Sequence, residues 1–285
     1  MKTILTAIDF SDCSLKALDY AAYLADKLEA ELSLIHVCKP YAKNLYYPDT
    51  KKHEKKETEK KLDDLVSKYQ KKLKTKVSSV IREGKVYKEV VNQAKYRDAY
   101  IIVVGTHGIS GFEEFFMGSN AYRILTASPC PVLTVTADFE IDGFDKILLP
   151  IDSSLESRQK TMFTAEIAKS LDATVNILGV FNSKDSTIQN RIKQYCNQII
   201  TYLGKRNIKN TLEFSKETNI ADAALSYADK TKPSLISIMS EADPYALRWI
   251  LGSNAQKMVH HTRFPILCMH PKKEYNYPTE FSGTV

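Results

Sequence analysis

The sequence predicts an α/β fold made of two tandem, open, five-stranded parallel sheets. Short β-branched runs alternate with helical patterns along the chain, and strands separated by helices join through right-handed crossovers into a parallel sheet that is covered on both faces. Residues 2–11 are echoed by residues 146–153, and residues 129–135 are echoed by residues 263–269. Because glycine, serine and proline recur in register, we interpret the second half as a duplicate of the first.

The duplication divides the chain into two domains, a linker and a tail. A chain of 285 residues is long enough for two domains, each with an ordinary hydrophobic core. We expect domains at 1–138 and 146–270, joined by a linker at 139–145 that contains a turn-forming Asp-Gly pair. The tail, 271–285, has no periodicity, and we leave open whether it lies across the surface or is disordered.

The predicted elements follow the alternation of strand and helix patterns. In chain order, the first half has a strand at 3–8, a helix at 14–28, a strand at 32–37, a helix at 52–73, a strand at 77–81, a helix at 86–96, a strand at 100–104, a helix at 119–127 and a strand at 131–135. The second half repeats the pattern with strands at 146–151, 174–180, 211–214, 234–239 and 265–269 and helices at 156–170, 186–204, 219–229 and 253–261.

The net charge of +6 comes from one predicted helix. Residues 51–76 contain 11 lysines and 5 acids, an excess equal to that of the whole chain. Apolar residues recur in this segment at helical spacing, at Leu62, Leu65, Val66, Tyr69 and Leu73. We therefore interpret the lysines as the solvated face of a packed helix, and we expect no specific nucleic-acid binding, for which arginines and stacking aromatics would interleave with the charge.

Composition also excludes a membrane protein and a disulfide-rich protein. No stretch approaches the roughly 18 apolar residues of a membrane span, and the N-terminal run meets an acid too early for a signal peptide. Five cysteines are scattered without C-x-x-C spacing, which is typical of reduced, packed thiols. We expect a cytoplasmic location.

A glycine-containing loop follows the fourth predicted strand. Residues 104–108 read VGTHG, and residues 118–120 read GSN after a gap of nine residues. Gly105 and Gly108 can take backbone angles that other residues avoid and can let amide groups approach a phosphate. A helix opens at residues 118–120, and its unpaired N–H groups favour an anion by roughly 0.3–2 kcal/mol. The pattern predicts a phosphate site, although it lacks the lysine of a P-loop.

Several side chains near this loop have two open interpretations. Ser119 either caps the helix alone or also donates to a phosphate, and Asn120 offers a further amide donor. His107 is a phosphate or solvent contact, with a catalytic base as the less favoured alternative because no acid partner stands beside it. Asp9 either accepts hydrogen bonds from ribose hydroxyls or holds a metal ion near the phosphates, or it caps the following helix.

These residues resemble the universal stress protein family, whose nucleotide-binding members carry G-x-x-G, nine residues, then G-[ST]. The matching positions are Gly105, Gly108, Gly118 and Ser119. The resemblance covers nearly the whole chain and implies two tandem, Rossmann-like domains of the adenine nucleotide alpha-hydrolase type. It also implies ATP with Mg²⁺ as the ligand. Family domains pair through their last strands, so the resemblance implies pairing between the two halves, with a homodimer as the alternative.

The resemblance further implies a role for each matching position. Adenine and ribose would contact the end of the first strand, and the end of the second strand would line the base pocket. Val104 and Gly105 would lie near the ribose, and the loop and the following helix would surround the phosphates. The implied binding residues are Ala7, Ile8, Asp9, Val37, Val104, Gly105, His107, Gly108, Gly118, Ser119 and Asn120.

The second half departs from the motif at the loop. Met239 and Ala242 replace the two glycines, and Glu241 adds a negative charge near the phosphate position, while residues 252–254 still read GSN. Repulsion and lost backbone approach should weaken anion binding. We expect the second half to bind ATP poorly or not at all.

Three functions remain open from the sequence. We favour a regulatory, stress-response module that binds ATP at one site in the first half. A slow ATPase or phosphotransferase is the second reading, for which His107, Asp9 and Arg123 are the candidate groups. The third is an interaction scaffold that does not depend on nucleotide. We assign no catalytic residue and no metal-binding side chain.

Overall fold

The computed structural model describes residues 1–38, 48–106, 117–137, 139, 143–242, 249–272 and 276–281, with only the backbone described for 48–52, 242 and 249. The chain forms two compact units, Met1–Ala137 and Asp138–Val285. Each unit contains a five-stranded parallel sheet with helices between its strands, as the sequence predicts.

The first unit alternates strands and helices from its start. Its strands are β1 (Thr3–Ala7), β2 (Glu31–Cys38), β3 (Val77–Glu83), β4 (Ile101–Gly105) and β5 (Val132–Val135), and its helices are α1 (Asp12–Lys27), α2 (Pro48–Gln70), α3 (Val86–Tyr96) and α4 (Ser119–Ala127). The strand order is β3-β2-β1-β4-β5, parallel throughout. With right-handed crossovers, α1 and α2 cover one face of this sheet and α3 and α4 cover the other.

The core of the first unit lies around its two central strands. Ile4, Leu5 and Ile102 have no exposed surface, because strands covered on both faces bury successive side chains. The lysine-rich helix α2 packs through one face only, with Leu62 and Tyr69 buried, and its described lysines are exposed. Leu73, which follows the helix, is buried as well. This confirms the interpretation of the positive charge as a solvated helix face.

The second unit has the same topology with two additions. Its elements in chain order are β6 (Lys146–Ile151), α5 (Glu156–Leu171), β7 (Thr174–Val180), α6 (Ser186–Gly204), β8 (Asn210–Ser215), α7 (Ile220–Thr231), β9 (Leu235–Met239), β10 (Glu241–Ala242), β11 (Trp249–Ile250), α8 (Ser253–His261), β12 (Ile266–Met269) and a 3₁₀ turn at Thr279–Phe281. The order β8-β7-β6-β9-β12 is parallel. The short antiparallel pair β10–β11 has no predicted counterpart.

The described part of the tail packs on the second unit. The Tyr277 hydroxyl donates to the Leu155 carbonyl at 3.1 Å, and Phe281 is buried. The guanidinium of buried Arg158 lies 3.8 Å from the Tyr195 ring centre and 4.8 Å from that of Tyr277. Of the two alternatives for the tail, 276–281 therefore follow the first and lie across the surface.

Two absences apply to the described chain. Among the helices that the structure describes, none combines the length and apolarity needed to cross a bilayer. All five cysteines are free thiols, and burial raises the pKa of Cys130 to about 11 and the pKa values of Cys196 and Cys268 to about 12. These thiols therefore stay protonated near neutral pH.

Candidate functional site

The predicted site residues of the first unit meet at the carboxyl ends of two adjacent strands. β1 pairs with β4, and Ala7 ends β1 while Gly105 ends β4. The chain proceeds from β1 to β2 and β3 on one side and places β4 and β5 on the other, so the strand order reverses between β1 and β4. Ligands of open α/β sheets bind at such a reversal.

A hydrogen-bonded turn connects β1 to α1. The Asp9 carboxylate oxygen Oδ1 accepts from the Ser11 amide at 3.0 Å and from the Ser11 hydroxyl at 2.5 Å. The Ser11 hydroxyl in turn accepts from the Ser14 amide at 3.2 Å and caps α1. The alternative in which Asp9 caps the helix is therefore wrong. Ser11 is the cap of α1, and the Asp9 carboxylate fixes the position of Ser11 through two hydrogen bonds. A carboxylate has about four acceptor positions, so Asp9 keeps capacity for a ligand.

The backbone around Ile8 is fixed by the neighbouring strand. The Ile8 amide donates to the Ile35 carbonyl at 2.8 Å, and the Ile8 carbonyl lies 2.8 Å from His36 Nδ1. Phe10 adopts a left-handed conformation with φ of 65° and places its ring 5.1 Å from that of His36. Val37, which follows His36 near the end of β2, is half-buried. These residues form an apolar wall beside the end of β1.

Gly105 is required by packing and not by its backbone angles. Its φ is outside the left-handed region, so the expectation that it adopts angles closed to other residues is wrong. A Cβ atom on Gly105 would lie 2.8 Å from Cys13 Sγ and 2.9 Å from the Cys13 carbonyl oxygen, closer than real Cβ contacts come. The glycine lets β4 end directly against the first turn of α1. Val104 before it is buried.

One backbone hydrogen bond joins the end of β4 to the start of α4. The Gly118 amide donates to the Thr106 carbonyl at 2.7 Å. Gly118 occupies the N-cap position with φ of −58° and ψ of 146°, and no side chain caps this helix. The expectation that Ser119 caps the helix is therefore wrong, because the extended residue that precedes the helix is Gly118 and Ser119 already belongs to the first turn. Phosphate donation by Ser119 stays a prediction.

The first turn of α4 presents donors without acceptors in the described part of the chain. Ser119 and Asn120 have exposed side chains, and the amides of residues 119–121 make no hydrogen bond to any described residue. The first N–H groups of a helix carry a partial positive charge of about half a unit. The helix start can therefore hold an anion.

Two of the predicted site residues, His107 and Gly108, lie outside the described residues. Arg123 stacks on Tyr87, with its guanidinium carbon 5.3 Å from the ring centre. Within the ranges that the structure describes, no group of three His, Cys, Asp or Glu side chains could hold a metal ion.

The second unit repeats the turn after its first strand. Asp152 Oδ1 accepts from the Ser154 amide at 2.9 Å and from the Ser154 hydroxyl at 2.6 Å, and the Ser154 hydroxyl accepts from the Ser157 amide at 3.2 Å. These contacts match those of Asp9, Ser11 and Ser14. Sequence reasoning named Asp9 and missed the serines, although an Asp-x-Ser-x-x-Ser pattern recurs in both halves.

The loop end of the second unit differs from that of the first. The Glu241 carboxylate lies directly against Gly252, the N-cap residue of α8, so that a Cβ on Gly252 would overlap it. Glu241 corresponds to His107 in the repeat, and Met239 corresponds to Gly105. The second unit therefore places a carboxylate of its own at the helix start that would otherwise receive a phosphate.

A buried lysine in the second unit was missed by sequence reasoning. Lys160 on α5 is 3% exposed and corresponds to Ala17, which is fully buried in the first unit. Burial lowers the pKa of Lys160 to about 8, while the charge of Asp152 and the thiol of Cys268 oppose that shift. The burial of Lys160 could have been inferred from the repeat, because the repeat aligns this lysine with an alanine of the first unit's core.

Comparisons with known proteins agree on one family. The sequence model for the universal stress protein family matches residues 1–136. The universal stress protein YxiE of Bacillus subtilis is 35% identical over 144 residues, which are 46% of this chain and 97% of that protein. A universal stress protein of Methanocaldococcus jannaschii is 32% identical over 142 residues, 47% of this chain and 81% of that protein.

A solved structure shares the fold over both halves. The crystal structure of a universal stress protein from Archaeoglobus fulgidus matches with a TM-score of 0.73 and 18% identity, covering 95% of this chain and 97% of that one.

Proposed function

The chain belongs to the universal stress protein family, and on that premise we propose that its first unit binds ATP with Mg²⁺ and acts as a nucleotide-dependent regulatory module. One observation carries the proposal: the amides at the start of α4 have no acceptor among the described residues, and Asp9 follows β1, the strand that pairs with β4. Phosphate and ribose hydroxyls are the groups that such a pair recognises.

Each part of the nucleotide has a complementary part of the first unit. In this proposal, Ala7, Ile8 and Val37 line the base, and the spare acceptor positions of Asp9 receive the ribose hydroxyls. Val104 and Gly105 flank the ribose. The phosphates meet the amides at the start of α4 together with Gly118, Ser119 and Asn120, and His107 and Gly108 complete the loop. Magnesium keeps most of its ligands from phosphate and water, since no described cluster of acids would replace them.

The proposal treats binding and not turnover as the function. Phosphoryl transfer needs a positioned base and cationic groups on the transferred phosphate. Arg123 is stacked on Tyr87, and Asp9 already accepts two hydrogen bonds from Ser11. These contacts support a regulatory module over an ATPase or phosphotransferase. The family and the reduced, soluble-type composition support a cytoplasmic location.

The test compares two serines that occupy the same place in the two units. Ser119 and Ser253 are both the first residue of a helix and both are exposed, so an aspartate is compatible with either helix. ATP binding to the full-length protein is measured by calorimetry with Mg²⁺. We expect one site per chain, weakened ~100-fold by Ser119→Asp through charge repulsion at the phosphates, and unchanged in Ser253→Asp.

Other outcomes would contradict the proposal. A loss in Ser253→Asp with none in Ser119→Asp would place the nucleotide in the second unit, and no binding by the unmodified chain would favour the nucleotide-independent scaffold. Steady ADP release during overnight incubation, lost in Ser119→Asp, would favour the enzyme.

A further inference from the structure

The second unit contains a cavity that the proposed nucleotide site does not use. Its volume is about 410 Å³, within the range of ligand pockets. Residues at the ends of β6 and β9, including Pro150 and Ile238, form its floor, and side chains from the starts of α5, α7 and α8 form its walls. It lies at the same edge of its sheet as the site of the first unit does.

The deep end of this cavity carries a positive charge without a hydrogen-bond acceptor. Lys160 lines the cavity and is 3% exposed, and in the described part of the chain its ammonium donates no hydrogen bond and has no carboxylate within ion-pair distance. A buried charge of this kind is unfavourable unless an acceptor pairs with it. Asp152 contributes an attractive charge, but its Oδ1 accepts from Ser154. The deep end is therefore complementary to an oxygen acceptor such as a carboxylate.

The rim of the cavity carries the opposite charge. Glu156 and Glu241 both line the cavity and are exposed. With Asp152, the lining has three carboxylates against one ammonium, so a phosphate-bearing ligand would be repelled. The rim is complementary to an ammonium group.

Apolar side chains also line the cavity. Ile220, Met258 and Pro271 belong to its lining and are buried. A polar chain would lose its hydration along this surface, whereas the burial of methylene groups there is favourable.

We propose that this cavity binds a small zwitterion whose carboxylate and ammonium lie at opposite ends of a short apolar body, as in an ω-amino acid. The carboxylate pairs with Lys160, the apolar body contacts Ile220 and Met258, and the ammonium faces Glu156 and Glu241. The site is in the second unit, and the proposal does not rest on ATP binding by the first.

The test uses three probes of equal chain length and the full-length protein. Binding of 6-aminohexanoate, hexanoate and hexylamine is measured by calorimetry at neutral pH. We expect 6-aminohexanoate to bind at least about tenfold more tightly than either singly charged probe, since each of those leaves one end of the cavity unpaired. Equal binding of hexanoate and 6-aminohexanoate, or no binding of any probe at millimolar concentration, would overturn the proposal.

Two substitutions separate the ends of the site. Lys160→Met keeps an unbranched side chain that is one atom shorter and removes the ammonium, and we expect it to weaken 6-aminohexanoate at least about tenfold while leaving hexylamine binding equal or stronger. Glu241→Gln should weaken 6-aminohexanoate and leave hexanoate equal or stronger. Lys169→Met, on the exposed face of the same helix, is the matched control. Unchanged 6-aminohexanoate binding in Lys160→Met would overturn the proposal.

Discussion

The two units keep the same turn after their first strand and differ in the space beside it. In the first unit, Gly105 at the end of β4 lies so close to buried Cys13 of α1 that a Cβ atom on it would be 2.8 Å from the Cys13 Sγ. In the second unit, the corresponding residues, Met239 and Glu156, both line a cavity of about 410 Å³. A strand that ends in glycine closes against the helix, whereas a strand that ends in methionine is accompanied by a cavity.

The comparison shows which positions of a duplicated fold carry its chemistry. The contacts of Asp9 with Ser11 recur in Asp152 with Ser154, so this turn belongs to the architecture. Neither α4 nor α8 has a side-chain cap among the described residues, but at the start of α8 the Glu241 carboxylate lies against Gly252. The turn is therefore shared, and the two units differ in a few residues at the strand ends.

The largest effect is expected from removing the buried lysine of the second unit. Lys160→Met should raise the free energy of unfolding by about 3 kcal/mol at pH 7, because burial lowers the lysine pKa from 10.5 to about 8 and the folded state bears that cost. Urea denaturation measures the free energy of unfolding, and hydrogen exchange of the β6 and β7 amides measures the change in local stability. Lys169→Met, an exposed change on the same helix, should have no effect.

The pH dependence of that difference tests its cause. Below pH 8 both folded and unfolded states hold the proton, and the cost is fully present. Between pH 8 and 10.5 the unfolded state binds more protons, so the stability of the unmodified protein rises with pH. The advantage of Lys160→Met should therefore shrink above pH 8 and vanish above about 10.5. An advantage that is the same at every pH would show that lost charge is not its source.

A second prediction tests the close contact in the first unit. Gly105→Ala should destabilise that unit by about 2 kcal/mol, since the new Cβ would lie 2.9 Å from the backbone of Cys13 and force it to move. Hydrogen exchange in β1 and β4 measures the change. Gly204→Ala is the control, because a Cβ there meets no atom within 4 Å. Equal stability of Gly105→Ala and the unmodified protein would mean that the glycine serves another purpose.

Much of the fold could be predicted because its signals are local. The structure has α6 at Ser186–Gly204 and α8 at Ser253–His261, the same ranges as those predicted from amphipathic periodicity. Boundaries shifted where flanking residues extend an element, as in α2, which begins at Pro48 and not at 52. The parallel sheet covered on both faces followed from the alternation of strands and helices, which leaves few topologies.

The candidate site was predicted less well because its details are tertiary. The need for glycine at 105 arises from the approach of α1, 92 positions earlier in the chain at Cys13, and no local pattern contains that contact. Whether Gly118 or Ser119 precedes α4 depends on one pair of backbone angles. A lysine is usually read as a surface residue, so only the alignment of Lys160 with Ala17 could have revealed it.

A third prediction tests whether the shared turn is equally important in both units. Ser11→Ala and Ser154→Ala should each destabilise their own unit by about 1 kcal/mol, because each removes a hydroxyl that accepts from a helix amide and donates to an aspartate. Hydrogen exchange reads the units separately. Ser170→Ala, which removes only a bond to the Glu166 carbonyl within α5, should be nearly neutral. A loss confined to one unit would show that the turn is not equivalent in the two.

The smallest effect is expected at the start of α8. Glu241→Gln should destabilise the second unit by about 0.5 kcal/mol at low ionic strength, since it removes a negative charge from a helix N-terminus, and the loss should fade as salt screens the interaction. Urea denaturation at low and high salt measures it, with exposed Glu217→Gln as the control. Stabilisation by Glu241→Gln would mean that repulsion from Asp152 and Glu156 exceeds the attraction of the helix. The start of α8 would then be unfavourable for any anion. The difference in anion binding expected between the two units would then depend on all three acids that line the cavity and not on Glu241 alone.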